Sequence, residues 1–170
     1  MAYIKKKALK IESEGGENLG TLEKWAEKQG VDNVKLKLME EISELSTCVL
    51  QHVNKGSNNR QDIVTEVCDV DIMLGQYASL VNLTGDDLVE VVKQYYTGSN
   101  QVGISNTEKL IKAVLKLSTC ISYLALHDLD RFDMLELVLA VDTIIDVFKL
   151  TKEELKERRG KVLCKIKGML

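Results

Sequence analysis

The sequence has no proline, and aromatic residues make up only 5% of it. With eleven glycines and no prolines, it has few of the tight-turn residues that an all-β chain needs. The expected class is all-α. A surplus of positive charge is also missing: 23 Lys and Arg stand against 26 Asp and Glu, for a net charge of −3. Proteins dedicated to DNA or RNA draw affinity from a basic field, so neither is an expected partner. A nucleotide as a small ligand stays open. No apolar run approaches the roughly 20 residues that span a bilayer. Met1 to Lys7 carries lysines, but no apolar signal core follows. A cytoplasmic protein without a membrane partner is expected. Cys48, Cys68, Cys120 and Cys164 are dispersed, with no C-x-x-C pair, and His52 and His127 do not complete a zinc site. The cysteines read as small buried hydrophobes.

The 170 residues are 45% hydrophobic and 29% charged, enough to bury a core in one domain or two small ones. Residues 1–20 read as a polar leader broken by Gly15, Gly16 and Gly20. Thr21 is a candidate N-cap for a short helix over Leu22 to Gln29, and Gly30 suits its stop. Leu38, Ile42, Leu45 and Val49 recur at helical spacing, and so do Ile63, Val67, Val70, Leu74, Tyr77 and Val81. The polar segment Asn54 to Asn59 separates these two helices. Thr84, followed by Asp86 and Asp87, begins another helix, and residues 98–107 read as a linker.

Beyond the linker the pattern returns. Leu45-Ser46-Thr47-Cys48 reappears as Leu117-Ser118-Thr119-Cys120, and Leu83-Thr84 with its following acids as Leu150-Thr151 with Glu153 and Glu154. The offsets are 72 and 67, so the second copy loses five residues, most cheaply in the polar loop. Residues 21–97 and 108–170 therefore read as two copies of a helical hairpin unit. Each hairpin has one apolar stripe to cover. Together they are expected to form one globular unit, a four-helix bundle with a pseudo-two-fold axis and additional short helices. A homodimer of the tandem-repeat chain is compatible with this pattern.

Glu40, Glu41 and Glu44 lie on one helix at i,i+3 and i,i+4 spacing, and Glu66 and Asp69 repeat the i,i+3 spacing on the next. Glu41 sits between Leu38 and Leu45 of the packing stripe, and Asp69 sits beside Ile72 and Met73. These acids border the apolar face. Like charges near a core repel and resist desolvation, and an oxygen-preferring dication, Mg²⁺ or Mn²⁺, removes the conflict.

Glu40-Glu41-Ile42-Ser43-Glu44, then 21 residues, then Glu66-Val67-Cys68-Asp69, has the form E-E-x-x-E … E-x-x-D. In this pattern the chain resembles the MazG-like, all-α nucleoside triphosphate pyrophosphohydrolases, relatives of the dimeric dUTPases. The Trp25-Ala26-Glu27-Lys28 helix and the Leu83-Thr84-Gly85-Asp86 step are similar too. The resemblance covers about Thr21 to Gln94. It implies Mg²⁺-dependent cleavage of a nucleoside triphosphate between the α and β phosphates, giving a monophosphate and pyrophosphate. It implies metal ligation by Glu41, Glu44, Glu66 and Asp69, with Glu40 as an accessory acid that orients water. A non-catalytic helical protein of the same fold that sequesters a nucleotide or a protein is the alternative.

In the second copy Glu40, Glu41 and Glu44 become Lys112, Ala113 and Lys116, and Glu66 and Asp69 become Asp133 and Glu136. A second metal site of this kind is not expected. Either this copy is scaffold, or it lends cations to the single site. Residues 1–106 carry 11 basic and 16 acidic side chains, and residues 107–170 carry 12 and 10. Lys93, Lys112, Lys116, Arg158 and Arg159 are thus candidates for substrate phosphates. Trp25 reads either as core or as one wall of a base pocket. Asp71, off the Glu66–Asp69 face, reads as a sugar or base contact or as a solvated acid.

Overall fold

The computed structural model describes residues 16–95 and 103–169. These are all-helical: α1 (Gly16–Gln29), α2 (Val31–Lys55), α3 (Arg60–Leu80), α4 (Gly85–Tyr95), α5 (Asn106–Leu126), α6 (Arg131–Phe148) and α7 (Lys152–Lys167), with no strand among the described residues. None of these helices is long and apolar enough to cross a membrane.

The apolar stripes set the packing. Leu38, Ile42, Leu45 and Val49 put one face of α2 into the core, where they meet Ile63, Val67, Val70 and Tyr77 of α3. The loop between them turns at Gly56, whose φ of 61° is a left-handed conformation that glycine adopts without a Cβ penalty. Leu110, Leu117 and Leu124 of α5 and Met134, Leu137 and Ile144 of α6 belong to the same core cluster. α2 packs along α3, α5 along α6, and α2 against α5.

The remaining helices cross between the halves. α4 follows α3 in sequence but rests on α6, where Val91 meets Leu135 and Leu139. α7 follows α6 but rests on α3 and α1, where Leu163 and Ile166 meet Ile72, Leu22 and Trp25. Arginines that open α3 and α6 tie each crossing. Arg60 pairs with Glu154 of α7, and Arg131 lies 3.1 Å from Asp87 of α4.

The turns that lead into α4 and α7 have the same geometry, 67 residues apart. Asn82 and Lys149 both have positive φ, 55° and 51°. Leu83 N–H donates to the Ala78 carbonyl at 2.9 Å, and Leu150 N–H to the Ile145 carbonyl at 3.0 Å. Thr84 N–H then donates to Asp87 Oδ2 at 2.7 Å, and Thr151 N–H to Glu154 Oε2 at 2.8 Å. The Thr and acid in each case close the first turn of the next helix.

Three expectations need correction. Thr21 is not an N-cap, because α1 already begins at Gly16, inside the segment read as a leader. Leu22 and Ala26 are buried, and docking of this face carries the helix past Gly20 despite glycine's weak propensity. The linker ends sooner than residue 107: Ser105 caps α5 by accepting from Glu108 N–H at 3.2 Å, so the helix begins at Asn106. Cys68 and Cys120 are buried as expected, but Cys48 is only half-buried and Cys164 is exposed on the polar helix α7.

One buried hydroxyl links the halves. Tyr77 of α3 is fully buried; its hydroxyl accepts from Leu129 N–H at 2.9 Å and donates to Asp128 Oδ1 at 3.2 Å. Burial pushes this phenol up to about 12. Lys35 holds the same Asp128 oxygen at 3.0 Å. Tyr77→Phe leaves the buried Leu129 N–H without an acceptor and should lower stability by about 1–3 kcal/mol. Urea unfolding of the full chain checks this, and an unchanged midpoint would refute the role.

Candidate metal centre

Two helices build the site. Glu41 lies on α2 in the stripe of Leu38, Ile42 and Leu45, so its side chain is carried inward and only 7% of the residue is exposed. Glu66 and Asp69, three residues apart on α3, share a face one turn deep. Carboxylate oxygens of Glu41, Glu66 and Asp69 lie within 4.8 Å of one another. Among the described residues this is the one group of three or more acidic, His or Cys side chains so arranged.

The electrostatics are strained in one direction. Burial raises the Glu66 carboxyl to about 7, with further contributions from the charges of Glu44, Glu41 and Asp69. Burial also raises Glu41, against the opposing pull of Lys37. Glu66 Oε2 is buried and has no hydrogen-bond partner. A buried carboxylate oxygen without a donor is costly, and converging carboxylate oxygens suit a hard dication. The residues present therefore fit Mg²⁺ or Mn²⁺.

Two cations flank the acids. Lys37 Nζ lies 2.9 Å from both Glu40 and Glu41, a turn earlier on the same helix, and its own ionisation is pushed upward, mainly by the bond to Glu40. Arg158 Nη2 of α7 donates to Asp69 Oδ2 at 2.9 Å. Neither contact was singled out in the sequence. The Lys37 signal was present in its i,i+3 and i,i+4 spacing to the acids. The Arg158 contact spans 89 residues and has no local signal.

The other candidates fall as follows. Glu44 is exposed and outside the close triad, yet its charge acts on Glu66 and Glu41. Glu40 is exposed and bound to Lys37. Trp25 is half-buried against the Leu22, Ile72, Leu163 and Ile166 cluster, with Lys28 Nζ 5.2 Å from its ring centroid. Asp71 is half-buried, and its Oδ2 accepts from Arg159 Nη1 at 2.8 Å. The Lys93 side chain lies outside the described residues.

In the second half the positions aligned with the acids by sequence hold an ion pair instead. Lys116 pairs with Glu136 across α5 and α6, and Ala113 is buried where the first half has Glu41. Lys112 pairs with Glu108 on its own helix at 3.0 Å. Asp133 closes the capping box of α6, accepting from Asp130 N–H at 3.3 Å. In this structure Lys112 and Lys116 are thus engaged by acids of their own half.

In comparison with known proteins, the sequence matches no family model and no curated protein, and the structure matches no solved structure.

Proposed function

We propose that the chain is a Mg²⁺-dependent nucleotide pyrophosphohydrolase that cleaves a (d)NTP between the α and β phosphates, giving (d)NMP and pyrophosphate. The observation that carries this reading is the convergence of Glu41, Glu66 and Asp69 from two helices, with a buried carboxylate oxygen left unpartnered. The E-E-x-x-E … E-x-x-D resemblance supplies the reaction class. Mg²⁺, or Mn²⁺, would supply positive charge against the phosphate oxygens and so reduce the repulsion that an incoming water meets. Glu41, Glu66 and Asp69 would hold the ion, and Glu44 would complete the acidic set. Glu40, exposed and bound to Lys37, would orient a water or take its proton, the role the resemblance implies. The water oxygen bonds to the α phosphorus, the bond from that phosphorus to the α–β bridging oxygen breaks, and pyrophosphate leaves. The two halves are read as copies about a pseudo-two-fold axis, with one site per chain.

A panel of NTPs and dNTPs with Mg²⁺ tests the reaction. Monophosphate and pyrophosphate are expected, and release of orthophosphate would overturn it. A sequestering protein of the same fold is the second reading. The pairing of Lys37 and Arg158 with the acids favours it, because these cations already compensate the cluster without a metal. That reading predicts bound nucleotide and no product.

A further inference from the structure

Arg158 is held in an incomplete pair. Its Nη2 donates to Asp69, but its Nε is buried and has no acceptor. A guanidinium that grips a carboxylate along its Nε edge satisfies both nitrogens and gains a second charge-assisted bond. This one does not, so a donor remains open.

The Arg158 side chain also borders open space. α3 and α7 leave a groove of about 320 Å³ lined by Gln61, Thr65, Glu154, Glu157, Arg158 and Lys161. The volume is at the small end of ligand sites, about 300–1,000 Å³. Both acids of the groove are compensated. Glu154 accepts from Arg60, which holds its carboxyl down at about 2, and Glu157 accepts from Lys161 at 2.7 Å. Arg158 differs from these cations: its partner, Asp69, belongs to the candidate metal centre.

We propose that Arg158 is a phosphate-binding residue held in reserve by Asp69, released into the groove between α3 and α7 when a dication takes that carboxylate. This rests on reading the carboxylates as a metal centre. A dication at Asp69 removes the attraction that holds the guanidinium and adds like-charge repulsion. A partly buried arginine without a counter-charge is unfavourable, so the freed group recruits an anion. The phosphate chain of a nucleotide supplies one beside the metal. Metal binding and anion binding are then coupled, each strengthening the other.

The test uses the full chain, Mn²⁺ and inorganic pyrophosphate. Mn²⁺ affinity is read by electron paramagnetic resonance, and pyrophosphate affinity by calorimetry at saturating Mn²⁺. Arg158→Gln should bind Mn²⁺ at least as tightly as the parent, since a competitor for Asp69 is gone. It should bind pyrophosphate about tenfold more weakly, the loss of one charge-assisted contact. Arg158→Lys, which keeps the charge and the stem, should fall between the two and stays informative if the Gln variant folds poorly. Weaker Mn²⁺ binding in Arg158→Gln would make the arginine a structural support for the cluster and overturn the proposal. So would unchanged pyrophosphate affinity, or a parent chain that binds no Mn²⁺. If both binding results hold while no nucleotide is hydrolysed, the inference stands and only the proposed reaction falls.

Discussion

Glu41→Gln and Glu66→Gln are each expected to abolish turnover of the nucleotide while the helical fold persists. Each removes one charged oxygen from the triad whose atoms lie within 4.8 Å of one another. Changes to groups that merely support a metal ligand lower activity or affinity by about 10–100-fold, so loss of a ligand should exceed about 100-fold. Steady-state rates at saturating Mg²⁺ measure this, and near-full activity in either variant would refute the ligand assignment. The same substitutions should not weaken the metal-free protein, because they relieve burial of charge and repulsion among acids. Glu66 sets the pH dependence. Its carboxyl is raised from an ordinary 4.5 to about 7. Between these values the folded chain keeps a proton that the unfolded chain has released, so stability falls as pH rises through that window. After allowance for partial exposure, the fall is on the order of 1–2 kcal/mol. Urea unfolding of the metal-free protein at pH 5 and 7.5 should show it in the parent, and Glu66→Gln should lack most of it. An equal fall in both would place its origin elsewhere.

What the sequence revealed of the fold was whatever repeats locally. The α2 and α3 stripes could be read because Leu38, Ile42 and Leu45, like Val67, Val70 and Leu74, recur every three or four residues. The turn at Leu83-Thr84 and Leu150-Thr151 could be read because its chemistry is local: a threonine and an acid three residues on, just after a backbone reversal. The acids were legible for the same reason, since i,i+3 spacing fixes a shared face whatever the tertiary structure. What was hidden depends on long-range docking. Nothing near Arg158 signals that it reaches Asp69, and nothing in α7 signals that it crosses to α3 of the other half. Glu40 and Glu44 show the limit of spacing alone. Both lie within a turn of Glu41, but the inward turn of α2 brings Glu41 into the close triad and leaves the other two exposed. The start of α1 was misread because its two helical glycines look like breaks until Leu22 and Ala26 are seen buried.

A fragment ending at Asn100 should fail to fold as a monomer. In the full chain the apolar face of α2 is covered by α5, the outer face of α3 by α7, and α4 by α6. All three covers lie beyond Asn100. Left alone, the fragment exposes the α5-facing side of α2, and Ile72 loses Leu163 and Ile166. It also loses the charge partners from α7, so Arg60, Asp69 and Asp71 stand without Glu154, Arg158 and Arg159. The acidic cluster then keeps Lys37 as a counter-charge but not Arg158. Removal of one partner from a partly buried ion pair is more damaging than its absence from the start, because the other charge remains desolvated. One route of escape is self-association. A second fragment can place its α4 on the α3 of the first, and its α2 against the first α2, to replace the missing half. Circular dichroism should therefore show low helicity at micromolar concentration, or sedimentation should show a dimer whose helicity rises with concentration. A monomeric, fully helical fragment with a cooperative unfolding transition would refute this. It would mean that residues 21–97 carry a complete core, and that the contacts α4 and α7 make across the halves add to a domain already stable without them.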